Sequence, residues 1–265
     1  MKLSYILNLL VLLSAPAFAA ETSVERDLSA EFGSYSGGFV LYDEAQQRWL
    51  RYQPEECHTR TSPCSTFKVL NSLIALETGV ASGADFRLPW DGTRRSIESW
   101  NQDQTLRSAF TTSCVWYYQA LATRIGLERY QQIIPNVGYG NNDLTGGVTQ
   151  FWLQSSLTIS PDEQVEFLRC LHARKLPFSA KNVDMVLDIM TLSQAGQTVF
   201  RGKTGSAKKN VPILGWFIGS VTSPSGLYLF ATRITGGENP SGITARKITE
   251  SILFTLNILP KHGIE

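Results

Sequence analysis

The sequence predicts a mixed α+β fold in which an antiparallel sheet is assembled from both ends of the chain and a helical lobe is inserted between them. Three observations carry this. Residues alternate with period two near the N-terminus, they do so again after residue 198, and helical spacing fills most of the stretch between. Gly38-Phe39-Val40-Leu41-Tyr42, a turn at Asp43-Glu44 and Arg48-Trp49-Leu50-Arg51-Tyr52 read as a β-hairpin. From Ser65 the apolar residues Phe67, Leu70, Leu73, Ile74 and Leu76 fall at helical spacing and Gly79 follows as a C′ residue, so Ser65 opens a helix. Residues 106–125 form a second helical stretch closed by Gly126, and 128–134 a third that Pro135 ends. Ser160-Pro161-Asp162-Glu163 joins an N-cap serine, a proline at the first helical position and a capping-box glutamate, which starts a helix through Leu171. Another helix covers 180–193, so the helical lobe spans roughly 80–190. Strands follow at 198–203, 214–221 and 227–234, the last two joined at Pro224-Ser225-Gly226, and an amphipathic helix at 243–256 closes the chain.

The N-terminus reads as a signal peptide. Met1-Lys2 precedes a run from Ile6 to Leu13 that is apolar except for Asn8, and Ala17-Phe18-Ala19 supplies small residues for cleavage. That run is too short to span a bilayer, which needs about 20 residues. A mature chain of 20–265 is expected, exported to the periplasm and free of the membrane, as one catalytic domain. Loss of Lys2 takes the formal charge from +1 to zero, and nothing in that balance favours nucleic acid.

Four cysteines allow three pairings. Cys57 and Cys64 are the expected disulfide, because they bracket a short polar loop and export permits oxidation. Cys114 and Cys170 lie in apolar helical patterns as small buried hydrophobes. The three histidines, His58, His172 and His262, have no ligand spacing, so no metal site is expected.

None of those histidines has a catalytic context, so a serine nucleophile here needs another base. Ser65-Thr66-Phe67-Lys68 puts a hydroxyl and an amine one turn apart at a helix start. The helix N-terminus favours the oxyanion that forms when Ser65 attacks a carbonyl. Lys68 must be neutral to accept the proton, and an apolar pocket lowers a lysine pKa.

Further motifs follow in order: Ser113-Cys114-Val115, Tyr139-Gly140-Asn141 and Lys203-Thr204-Gly205. With S-x-x-K at Ser65, these S-x-V, Y-G-N and K-T-G motifs resemble the class D β-lactamases. The resemblance extends to Pro63-Cys64, Phe151-Trp152-Leu153, 156–160 and 215–219, nearly the whole mature chain. It implies the penicillin-recognising serine hydrolase fold: a five-stranded antiparallel sheet flanked by helices, beside an all-helical lobe.

It also implies roles. Ser65 would be the nucleophile and Lys68, carboxylated by carbon dioxide (N6-carboxylysine), the general base, with no other cofactor. Only a neutral amine reacts with carbon dioxide, so the environment that deprotonates Lys68 also permits the modification. Trp152 would hydrogen-bond the carbamate and Val115 would wall it. Ser113 would relay a proton to the departing nitrogen with help from Lys203. Thr204 and Arg246 would hold the substrate carboxylate, a task that suits a guanidinium fork. Backbone N–H groups of Ser65 and Ser206 would form the oxyanion hole behind Gly205, while Tyr139-Gly140-Asn141 would only shape the cleft. Ser206 stands where many relatives carry an aromatic residue, and Cys64 and Cys114 also depart from the commonest pattern. The resemblance implies hydrolysis of a small β-lactam and resistance to such compounds. It leaves the substrate spectrum open and monomer or homodimer undetermined. Two rivals share the motifs: a β-lactam sensor domain that acylates without turnover, and a cell-wall transpeptidase.

Overall fold

The computed structural model describes residues 21–207 and 213–260. The expected leader 1–19 and His262 lie outside the described residues.

The chain opens with β1 (Thr22–Glu25) and a short α1 (Ser29–Phe32), then the hairpin β2 (Tyr35–Asp43) and β3 (Arg48–Tyr52). After α2 (Pro54–His58), a 3-10 turn at Cys64–Phe67 runs into α3 (Lys68–Glu77). The helical lobe adds a small ladder of β4 (Arg87–Leu88) and β5 (Gln104–Thr105), then α4 (Leu106–Thr111), α5 (Val115–Ile125) and α6 (Leu127–Val137). The chain then continues through α7 (Pro161–His172) and α8 (Ala180–Ile189). Strands β6 (Thr191–Ala195), β7 (Thr198–Ala207), β8 (Leu214–Ser223) and β9 (Gly226–Gly236) lead to α9 (Gly242–Thr255).

The sheet order is β1-β3-β2-β9-β8-β7-β6, so its centre joins strands from both ends of the chain. The five strands from β3 to β7 are antiparallel, as expected, but the sheet has seven. Strand β1 adds in parallel to β3, and β6 pairs with β7 where a continuous helix to 193 was expected. Alternate residues of each central strand enter different cores, as the two-residue pleat requires. Val40, Tyr42, Trp216, Ile218, Leu229 and Ala231 pack toward the helical lobe. Their neighbours Phe39, Leu41, Phe217, Phe230 and Ile234 pack under α9 and α1. Both faces are covered, which explains the apolar runs.

Two helices differ from expectation. The stretch 106–125 breaks in two, because Ser113 takes φ 56°, a left-handed conformation that no helix interior tolerates. Pro135 does not end its helix. It sits in the last turn of α6, which Gly138 closes at φ 70°. The capping box at Ser160 and Glu163 forms in both directions.

The expected Cys57–Cys64 disulfide is corrected: all four cysteines are free. Each of the two thiols is committed elsewhere. Cys57 Sγ, on α2, donates to Tyr52 O at 3.1 Å and Phe39 O at 3.4 Å, lying over Gly38 of β2. Cys64 Sγ instead meets Ser62 Oγ at 3.8 Å. Burial pushes the Cys57 thiol up to about 12, so it stays a protonated donor. Among the described residues no helix is long and apolar enough to cross a membrane.

Candidate active site

Ser65 does not sit in α-helix but in the 3-10 turn that precedes it. In that geometry residues three apart eclipse one another, and Lys68 is the first residue of α3. Lys68 Nζ accordingly donates to Ser65 Oγ at 2.6 Å, and a neutral amine at the same place would accept. The residue before the nucleophile, Cys64, is held at φ 49°, a strained conformation of the kind concentrated at functional sites.

Lys68 is wholly buried, with its Nζ 5.3 Å from the centre of the Tyr118 ring. Burial lowers its pKa to about 7, against smaller upward effects of the Cys114 and Cys64 thiols. A substantial fraction is therefore a neutral base at neutral pH.

Trp152 is also wholly buried and stacks on Phe67, ring centres 5.5 Å apart. Its Nε1 has no hydrogen-bond partner among the described residues. A buried N–H without an acceptor is costly, and it marks a place where an acceptor belongs. The main chain at Trp152 is held by Ser62, which sequence reasoning missed. Ser62 Oγ donates to Trp152 O and accepts from Gln154 N–H, both at 2.9 Å, and Ser62 O accepts from Trp216 Nε1 at 3.0 Å. Its position beside Pro63 was the only available signal.

A second serine–lysine pair comes from distant parts of the chain. Ser113, in the break between α4 and α5, accepts from Lys203 Nζ at 3.1 Å. Lys203 is buried on β7 and also meets Thr204 O at 3.1 Å. Burial and the charge of Lys68 push its pKa well below the usual lysine range. The edge of β7 is covered by β6 only as far as Arg201, and Gly202 N–H closes on Met190 O at 2.9 Å. Beyond that point the described residues leave the K-T-G edge open. Gly205 lets the strand approach closely here, since a Cβ would make a tight 3.1 Å contact with Pro63 O of the nucleophile turn.

Arg246, Thr204 and Lys203 line one pocket with Phe110, Thr111 and Phe217. Val115, Ser206 and Gly205 are not in its lining. Val115 opens α5, half-buried, and Ser206 Oγ accepts from Gly242 N–H at 2.9 Å. Tyr139 is wholly buried, its OH meeting Gln164, whose amide donates to Thr66 Oγ1 at 2.8 Å. Asn141 bonds Ser156 O and Thr158 N, so the Y-G-N segment braces the wall rather than reacting. His172 is half-buried against Ser220 with its pKa lowered to about 4, chiefly by burial, and His58 pairs with Asp162.

The penicillin-binding-protein transpeptidase domain family matches residues 21–253. The probable β-lactamase YbxI of Bacillus subtilis is 40% identical over 234 residues, covering 88% of this chain and 84% of that protein. The chain belongs to the class D β-lactamase family. β-Lactamase OXA-48 of Klebsiella pneumoniae is 32% identical, with 98% and 99% covered. The crystal structure of the class D β-lactamase from Bacillus subtilis matches at TM-score 0.85 and 38% identity, covering 89% of this chain and 98% of that one. Another branch of the family is equally near. The C-terminal domain of the Bacillus licheniformis BlaR penicillin receptor matches at TM-score 0.88 and 35% identity, covering 92% and 100%. The chain spans 43% of the length of the regulatory protein BlaR1 of that organism.

Proposed function

We propose that this class D chain, as a single catalytic domain exported on the leader 1–19, hydrolyses the β-lactam amide of penicillins and cephalosporins and so confers resistance. The observation that carries this reading is the Ser65–Lys68 pair: a 2.6 Å contact to a buried lysine whose pKa is lowered to about 7.

Lys68 takes the Ser65 proton as Oγ attacks the lactam carbonyl. The resulting oxyanion is met by the backbone N–H groups of Ser65 and Ser206. As the C–N bond breaks, Ser113 gives its proton to the ring nitrogen and is resupplied through Lys203, 3.1 Å away, with the proton that Lys68 took, which leaves Lys68 free again. The substrate carboxylate lies on Thr204 and Arg246, which share a pocket with Lys203. Water then attacks the Ser65 ester, giving its proton to the base at Lys68, which returns it to Ser65 Oγ as the ester C–O bond breaks.

The residues around Lys68 fit the carbamate that the family implies. The amine has a depressed pKa, and Trp152 Nε1 is buried without an acceptor. Carbon dioxide on Lys68 would supply an anionic and stronger base, held by Trp152 and walled by Val115.

The likeness to the penicillin receptor favours a second reading, in which Ser65 is acylated and the ester persists. Steady-state hydrolysis of one penicillin, with and without bicarbonate, separates them. Turnover that rises with bicarbonate supports the hydrolase; one equivalent of covalent label without product supports the sensor.

A further inference from the structure

We infer that Glu250 is a positioning residue for the substrate carboxylate: it holds Arg246 so that the far end of the guanidinium faces the pocket beside Thr204. This rests on the β-lactam reading above.

The first turn of α9 is set hard against the K-T-G strand. A Cβ on Gly242 would lie 2.7 Å from both Gly205 O and Thr204 Cβ, so the start of the helix is fixed relative to the substrate site. One turn on, the guanidinium carbon of Arg246 lies 5.9 Å and 6.0 Å from the ring centres of Phe200 and Phe217. Its Nε donates to Glu250 Oε1 at 2.7 Å, while neither Nη atom has a partner among the described residues. A guanidinium tied at Nε still presents two N–H groups at its other end, which match the two oxygens of a carboxylate. Thr204, with its hydroxyl, lines the same pocket.

Helix stability does not account for this pair. Arg246 stands near the N-terminal end of α9, where a cation opposes the helix dipole, and the first turn carries no acid to offset it. Arginine four residues before glutamate is also the less favourable of the two orders for a helical ion pair. The pair adds little to the helix, and it fixes a cation at the pocket.

The test is the rate of covalent labelling of the full mature chain by a penicillin and by its methyl ester, as a function of concentration. It compares wild type, Glu250→Ala, Glu250→Gln, Arg246→Ala and the double alanine variant. Glu250→Ala should raise the half-saturating penicillin concentration about tenfold, the effect of losing one well-aimed charge-assisted hydrogen bond, and leave the limiting rate unchanged. Glu250→Gln keeps an oxygen for Nε and should recover most of the loss, which separates positioning from misfolding. The methyl ester should be indifferent to Glu250→Ala, and the substitution should add nothing once Arg246 is alanine. The inference is overturned if acid and ester are affected equally, if the limiting rate falls instead, or if the penalty persists without Arg246. Failure of wild type to be labelled at Ser65 would overturn the β-lactam reading itself, and this inference with it.

Discussion

Lys68 and Lys203 are the same residue type, both buried and each paired with a serine hydroxyl, yet their surroundings differ. Lys68 meets Ser65 at 2.6 Å within one turn of chain, among the Cys64 and Cys114 thiols and the Tyr118 ring. Lys203 meets Ser113 across 90 residues of sequence and also has the Thr204 carbonyl, at the open edge of a strand. The first is an apolar pocket that favours a neutral amine. The second lysine is buried as well, and burial together with the charge of Lys68 pushes its pKa well below the usual lysine range, here with a carbonyl and a hydroxyl within reach. One lysine is placed to take the Ser65 proton and the other to exchange one with Ser113.

The largest test of that division is at the first pair. Ser65→Ala should abolish covalent labelling by a fluorescent penicillin; labelling that survives would remove Ser65 from the chemistry. Lys68→Ala should lower kcat/KM by about 10²- to 10⁴-fold, the usual contribution of a general base. A loss below tenfold would move the base elsewhere. Trp152→Ala should still be labelled but lose its ester about 10²-fold more slowly, with partial recovery in high bicarbonate. Wild-type release by this variant would mean the indole holds nothing on Lys68.

The pH dependence follows from the same comparison. Lys68 must be unprotonated, so acylation should fall by about tenfold per pH unit on the acid side of its pKa of about 7. A profile flat down to pH 5 would contradict the assignment. The smallest effect is at the cysteines: a non-reducing mass map should find Cys57 and Cys64 free, and a reductant should leave Tm unchanged. A structural disulfide would instead cost roughly 2–5 kcal/mol on reduction.

Much of this was legible in the sequence because it depends on local spacing. Period two placed β7 to β9, the capping residues placed α7, and the four ordered motifs named Ser65, Lys68, Ser113 and Lys203. What escaped depends on partners far along the chain. The break at Ser113 is a left-handed residue with no glycine to announce it. The parallel strand β1 exists only against β3, and β6 only against β7. Cys57 and Cys64 look pairable along the chain, but each thiol is turned to an oxygen acceptor of its own. Ser62 supports Trp152 across 90 residues, which no local pattern encodes.

The most direct test of the central claim is mass spectrometry of the Ser65 peptide at successive times after mixing the wild-type chain with a small excess of penicillin. The account predicts an adduct of penicillin mass that appears, decays as penicilloate accumulates, and decays faster with added bicarbonate. An adduct that forms and persists, or none at all, would contradict it.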